Sequence, residues 1–185
     1  MKTITVRELM VPLSEYAVVS GEATLHEAVT ALEKAQEKFD KTRYRHRAIL
    51  VFGENNQIVG KISQLDILRS LEPKYAKILE PAMLSPEDLS PRYIKSVLEK
   101  YALWKHSLDN ICEKAAKLKI KDIMYAPTEG EYVEESAALT EAIHRLLTGS
   151  HQSLLVTEAE QIVGILRLTD VFKEICESIK ACERK

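Results

Sequence analysis

The chain has few of the features that announce a chemistry. Its three cysteines, Cys112, Cys176 and Cys182, are an odd number without metal-ligand spacing, which argues against a disulfide framework and predicts reduced thiols. The six glycines are dispersed, so there is no glycine-rich phosphate loop. No apolar run approaches the ~20 residues of a membrane-spanning helix. The opening Met1-Lys2-Thr3-Ile4-Thr5-Val6-Arg7-Glu8 lacks the apolar stretch of a secretory signal. These absences predict a cytoplasmic protein with no membrane contact. Nor is there an excess of one charge. With 26 basic and 28 acidic residues the formal charge is −2, so no general attraction to nucleic acid or anionic lipid is expected. His26, His46, His106, His144 and His151 are scattered. None is paired in sequence with a cysteine or carboxylate in a metal or nucleophile arrangement. No catalytic residue and no metal ligand is nominated, and the expectation is a protein that is not an enzyme.

What is present is a duplication. Val6-Arg7-Glu8-Leu9-Met10 returns as Ile120-Lys121-Asp122-Ile123-Met124, and Thr24-Leu25-His26-Glu27-Ala28-Val29 as Ala138-Leu139-Thr140-Glu141-Ala142-Ile143. Further on, His46 to Val51 matches His151 to Val156, and Gln57-Ile58-Val59-Gly60 recurs unchanged as Gln161-Ile162-Val163-Gly164. Four blocks in one order define two repeats. At 45% hydrophobic residues the chain can build a core, but one repeat of ~60 residues buries too little surface to stand alone.

Each repeat reads as β-α-β-β-α. In the first, Tyr16 to Val19 predicts a short strand. Thr24 and Glu27 are spaced as a capping box opening a helix with Leu25, Ala28, Val29 and Leu32 on one face. Ala48 to Phe52 and Gln57 to Ser63 flank a turn signal at Gly53-Glu54-Asn55-Asn56 and predict a hairpin. The closing helix starts near Gln64 and is expected to turn Leu65, Leu68 and Leu71 inward. The second repeat follows as Glu131 to Val133, Leu139 to Leu147, Ser153 to Thr157, Gln161 to Leu166 and Thr169 to about Ile179.

Two stretches break the duplication. Residues 37–47 form a basic insertion that is either a solvated extension or a cationic arm over an anionic ligand; a nucleic-acid contact is the weakest reading. Residues 72–118 insert a helical segment. Ser85-Pro86-Glu87-Asp88 and Ser90-Pro91 look like helix starts. After Pro91, Ile94, Val97, Leu98, Tyr101, Trp104, Leu108, Ile111, Cys112, Ala115 and Leu118 fall at steps of three and four. That spacing predicts one amphipathic helix of about 40 Å, which either packs across its own module or meets another protomer or a protein partner. The resulting division is 1–71, 72–118, 119–180 and a tail at 181–185.

At the last strand-to-helix junctions stand Gly60-Lys61-Ile62-Ser63-Gln64-Leu65-Asp66 and Gly164-Ile165-Leu166-Arg167-Leu168-Thr169-Asp170. This glycine, hydroxyl and aspartate spacing, in two copies in register with Met10 and Met124 at the repeat openings, resembles the signature of CBS (cystathionine-β-synthase) domains. The resemblance covers residues 1–71 and 119–180. It implies an α/β Bateman module, two repeats in pseudo-twofold contact around paired clefts, with a helical insert. It also implies homodimerisation and an adenosine-containing ligand (AMP, ADP, ATP or S-adenosylmethionine) bound for regulation rather than as a cofactor.

On the family pattern, Asp66 and Asp170 accept hydrogen bonds from ribose hydroxyls, while Ser63 and Thr169 offer hydroxyls to sugar or phosphate. Adenine is then expected against Ala17 and Val18, and against Tyr132 and Val133, with Arg47, Ala48, Ser153 and Leu154 facing. A purely local role is also open, because Ser63 and Asp66 are spaced as a helix cap and its partner. Arg167 departs from the family's Ser or Thr; it either grips a phosphate or blocks the second cleft. The competing functional reading is a ligand-free scaffold that dimerises and displays the insert helix.

Overall fold

The computed structural model describes residues 4–78, 90–105 and 109–182. In chain order its elements are α1 (Val6–Leu9), β1 (Val11–Pro12), β2 (Val18–Ser20), α2 (Leu25–Lys38), β3 (Ala48–Phe52), β4 (Ile58–Ser63), α3 (Gln64–Leu71), α4 (Tyr75–Ile78), α5 (Pro91–Tyr101), α6 (Ile111–Lys117), β5 (Tyr132–Glu134), α7 (Leu139–Thr148), β6 (Ser153–Glu158), β7 (Gln161–Arg167) and α8 (Leu168–Cys182). The β-α-β-β-α order is present twice. In the first copy β3 pairs parallel with β2 and antiparallel with β4, and in the second β6 does the same with β5 and β7.

Local chemistry starts the first-copy helices. At α2, Thr24 Oγ1 accepts from the Glu27 N–H at 3.2 Å while the Glu27 carboxylate accepts from the Thr24 N–H at 2.7 Å, a closed capping box. The second copy has Ala138 at that cap and no side-chain acceptor there; its first helical N–H, that of Leu139, donates to the Ile4 carbonyl at 2.9 Å. The same bond exists in reverse, from Leu25 N to the Leu118 carbonyl at 2.9 Å.

These reciprocal bonds mark an exchange of opening segments. β1 pairs antiparallel with β7, Val11 opposite Ile165 and Pro12 opposite Gly164, while Tyr125 bridges to Lys61 on β4. Val6 is fully buried among Val133, Leu139, Ala142, Leu154, Val156 and Leu166 of the second copy. Ile120 is likewise buried among Ala17, Leu25, Ile49, Val51 and Ile62 of the first. Each burial contributes about 1.5–3 kcal/mol, so neither copy completes its core without the other's leading residues. A third cluster, Val11, Tyr16, Phe39, Leu50, Leu155 and Ile165, lies between the two sheets.

The repeated Gly60 and Gly164 lie where these exchanged segments cross. A Cβ on Gly164 would stand 2.6 Å from the Val11 carbonyl oxygen, and one on Gly60 2.6 Å from Met124 Sδ. Only glycine admits so close an approach without displacing a neighbour.

Three expectations are corrected. Leu65 and Leu68 are about half exposed; α3 docks through Ile67 and Leu71 instead, one turn apart on its inner edge. On α2 Val29 lies at the solvent margin, while Leu25 and Ala28 enter the core. The single helix after Pro91 is broken: α5 ends at Ala102 in the left-handed region (φ 48°) and Leu103 turns inward. Trp104 fixes this turn, its N–H donating to the Glu72 carboxylate at 3.0 Å and its indole N–H to the Tyr75 hydroxyl at 3.1 Å. The stripe therefore divides. Ala115 and Leu118 pack against the first-copy core, while Tyr93, Ile94, Leu98 and Tyr101 on α5 remain exposed. The helix start at Ser85-Pro86-Glu87-Asp88 and the stripe position Leu108 lie outside the described residues.

Candidate functional site

The two strand-to-helix junctions, equivalent by sequence, have diverged. In the first, Ser63 caps α3. Its Oγ accepts from the Asp66 N–H at 3.2 Å and donates to Asp66 Oδ2 at 2.6 Å, and the Ser63 N–H donates to the same oxygen at 2.9 Å. Asp66 thus serves its own helix through Oδ2. Its other oxygen has Arg69 at 3.7 Å, and the side chain keeps 24% of its surface exposed. Since a carboxylate offers about four acceptor positions, capacity for a ligand's hydroxyls remains.

This junction opens on a cleft of about 380 Å³ between the copies, lined by Tyr16, Arg45, Arg47, Ala48, Lys61, Ser63, Gln64, Leu65, Asp66, Tyr125, Glu131, Ser150, His151, Gln152, Ser153, Arg167 and Thr169. The size is that of a small-molecule site. At its floor Lys61 Nζ donates to Glu131 and stands over the Tyr125 ring. Burial works to raise the Glu131 pKa, but hydrogen bonds from Lys61, Tyr125 and the Thr128 N–H outweigh it and hold the carboxyl below its ordinary value. Arg45 and Arg47 are exposed at the rim and have no ion-pair partner among the described residues. They also line a broader groove of about 1000 Å³ beside the cleft.

In the second copy Arg167 replaces the capping serine. Its Nε and Nη2 donate to both oxygens of Asp170, at 2.5 and 2.7 Å, and the pair is buried. Arg43 from the insertion adds a contact to Asp170 Oδ1 at 3.2 Å and donates to the Leu9 carbonyl at 2.9 Å. Arg167 Nη1 reaches the Tyr44 carbonyl at 2.8 Å and His46 Nδ1 at 3.2 Å, and its guanidinium lies 5.1 Å from the Phe39 ring centre. His46 is wedged between the Tyr16 and Phe39 rings, at 4.4 and 4.2 Å. Its Nε2 stands 3.1 Å from the Glu15 carbonyl. A carbonyl only accepts, so Nε2 carries the proton and Nδ1 is left to accept from Arg167. Burial and the Arg167 charge push the His46 pKa down to about 4. Burial likewise pushes the Tyr16 hydroxyl up to about 12.

Of the residues nominated from sequence, Ser63, Asp66, Arg47, Ala48, Ser153, Arg167 and Thr169 converge on the open cleft. Ala17, Val133 and Leu154 lie in the helix-facing cores. Val18 and Tyr132 pack between the sheets, and Asp170 is enclosed by the two arginines. Sequence reasoning missed Tyr16, Lys61, Tyr125 and Glu131, while Arg45 entered it only as part of the basic stretch 37–47. The available signal was Lys61, a charge inside a strand whose counterpart in the other copy is Ile165.

Among the described residues no helix is long and apolar enough to cross a membrane. The family model described as CBS domain matches residues 6–73 and 120–177. No curated protein sequence matches the chain. Among solved structures, the CBS domain of a CBS-domain-containing membrane protein from Sphaerobacter thermophilus is 17% identical, with a TM-score of 0.61 over 94% of this chain and 88% of that one. CBSX2 in complex with AMP is 20% identical, with a TM-score of 0.57 over 94% and 97%. The CBS domain of a bacterial CNNM/CorC family Mg2+ transporter in complex with ATP is 19% identical, with a TM-score of 0.57 over 93% and 87%. At these identities the likeness is one of fold.

Proposed function

Because the chain belongs to the CBS-domain family, with the domain present twice, we propose that it is a regulatory module whose inter-copy cleft binds an adenosine-containing ligand. The single observation that carries this is the open cleft of about 380 Å³ at the first junction, with Asp66 and Ser63 on one wall and the exposed Arg45 and Arg47 at the rim. A ribose diol donates well to a partly exposed carboxylate, and a phosphate is matched by guanidinium groups. AMP and ATP in two solved relatives of the same fold support the class of ligand. The proposed role is binding: in this cleft the Ser63 hydroxyl and the Asp66 carboxylate are engaged with each other as the cap of α3. A ligand that prefers one arrangement of the two copies shifts the population toward it, and the exposed face of α5 is the element proposed to present that change to a protein partner.

Self-association is proposed through α3 and α8, which expose Leu65, Leu68, Phe172, Ile175 and Ile179. Leu68 and Phe172 occupy equivalent positions of the duplication, as a symmetric assembly would use them. The same exposed residues favour the second reading, a ligand-free dimerising scaffold. Thermal unfolding with adenosine, AMP, ADP, ATP and S-adenosylmethionine separates the two. At a hundredfold excess over Kd a bound ligand adds about 2.7 kcal/mol, roughly 5–10 °C for a chain of this size. Asp66→Ala is expected to remove that shift. No shift with any of the five at millimolar concentration would leave the scaffold.

A further inference from the structure

We propose that the second cleft is filled by the chain's own insertion, so that each chain carries one ligand site. The inference rests on the ligand-binding reading above and fixes its stoichiometry. The duplication predicts two equivalent sites, and at the first the junction stands open. At the second, Phe39 and His46 from the insertion pack on Arg167 and Arg43 contacts Asp170, and the space left beside Asp170 is an outer groove of about 290 Å³ whose walls carry the carboxylates of Glu8, Asp40, Glu174 and Glu177. The groups a nucleotide would supply there are already present in protein form. Arg43 and Arg167 satisfy the carboxylate that a ribose would address, and the Phe39 and His46 rings fill an apolar slot. The corresponding connection of the second copy is only Thr148-Gly149-Ser150-His151. It is too short to cover the first junction, and Ser150 and His151 instead line its wall.

Entry of a ligand at Asp170 would require breaking a buried bidentate ion pair and expelling two rings. The first cleft requires neither. The closure also places Arg45 and Arg47, which alternate with His46 along the chain, at the rim of the open cleft. The insertion is thus an occupant of one cleft and a wall of the other.

The test is calorimetric titration of the full chain with ATP and with AMP, on the native protein, Asp66→Ala and Asp170→Asn. One site per chain is expected in the native protein, none in Asp66→Ala and one in Asp170→Asn. Two sites in the native protein, or a residual site in Asp66→Ala, would overturn the proposal while leaving the sensor reading intact. Absence of binding by both nucleotides to the native protein would remove the sensor reading and this proposal with it. Should Asp170→Asn not fold, nitrogen-15 NMR of the native His46 ring decides. Saturating ATP is expected to leave its Nε2–H tautomer unchanged, whereas release of that ring from Arg167 would show the second cleft to be entered.

Discussion

Arg167 and Asp170 form a buried, bidentate ion pair at the position where the first copy has Ser63 and Asp66. One substitution in a duplicated junction has turned a helix cap into a closed electrostatic knot, with the insertion wound around it.

The two halves of that pair differ in what their loss leaves behind. Removing Asp170 strands two cations, Arg167 among them buried. Removing Arg167 leaves Asp170 with Arg43 at 3.2 Å. Asp170→Ala is therefore expected to cost about 3–5 kcal/mol in urea unfolding, and Arg167→Met clearly less. Equal losses would mean that Arg43 contributes nothing at this site.

Acid acts through His46, which faces Arg167, Arg43, Asp170, Tyr16 and the Glu15 carbonyl. Its folded pKa, about 4, lies below the unfolded value of about 6.5. The unfolded chain therefore takes up a proton in the interval where the folded chain does not. This contribution is complete above about pH 6.5, falls as pH drops toward 4, and amounts to on the order of 3 kcal/mol across the window. Urea unfolding between pH 7.5 and 4.5 should show the loss, and His46→Gln should flatten the curve; parallel curves would place the pH dependence elsewhere.

The glycines at the segment crossing are expected to be unequal. An added methyl at Gly164 meets a carbonyl oxygen, which is backbone and cannot move alone, whereas at Gly60 it meets a methionine sulfur that can rotate away. Gly164→Ala is expected to lose about 1–3 kcal/mol and Gly60→Ala less, as measured by chemical unfolding. The reverse order would contradict the exchanged pairing of β1 with β7.

Charge placed on the outer faces of α3 and α8 tests self-association. Leu68→Lys with Phe172→Lys removes two exposed apolar side chains without touching the cores. Sedimentation is expected to show the native chain at twice the mass of the double variant, with at least a tenfold weaker dissociation constant in the latter. A monomeric native chain would end that assembly.

Much of the fold could be read from the sequence because it repeats. Two copies of Gln-Ile-Val-Gly before a strand-to-helix junction, and two apolar strand runs, fix the element order without any knowledge of contacts. The exchange of Val6 and Ile120 between copies could not be read, because each is apolar in either pairing and only packing tells them apart. The broken helix after Tyr101 escaped for a similar reason: the three-and-four spacing continues across Ala102, but the buried Leu103 requires the chain to turn. At the candidate site, Ser63 and Asp66 were legible as a motif. Lys61 and Glu131, 70 residues apart, were not.

Period, glycine and cap spacing are local properties, and from them alone follow two β-α-β-β-α units with an acid at each closing helix. Packing settled which of the two acids keeps a partly exposed carboxylate and which is buried in an ion pair. That outcome depends on where an eleven-residue insertion lays Phe39, Arg43 and His46, and such placement follows from burial and charge pairing with the far end of the chain.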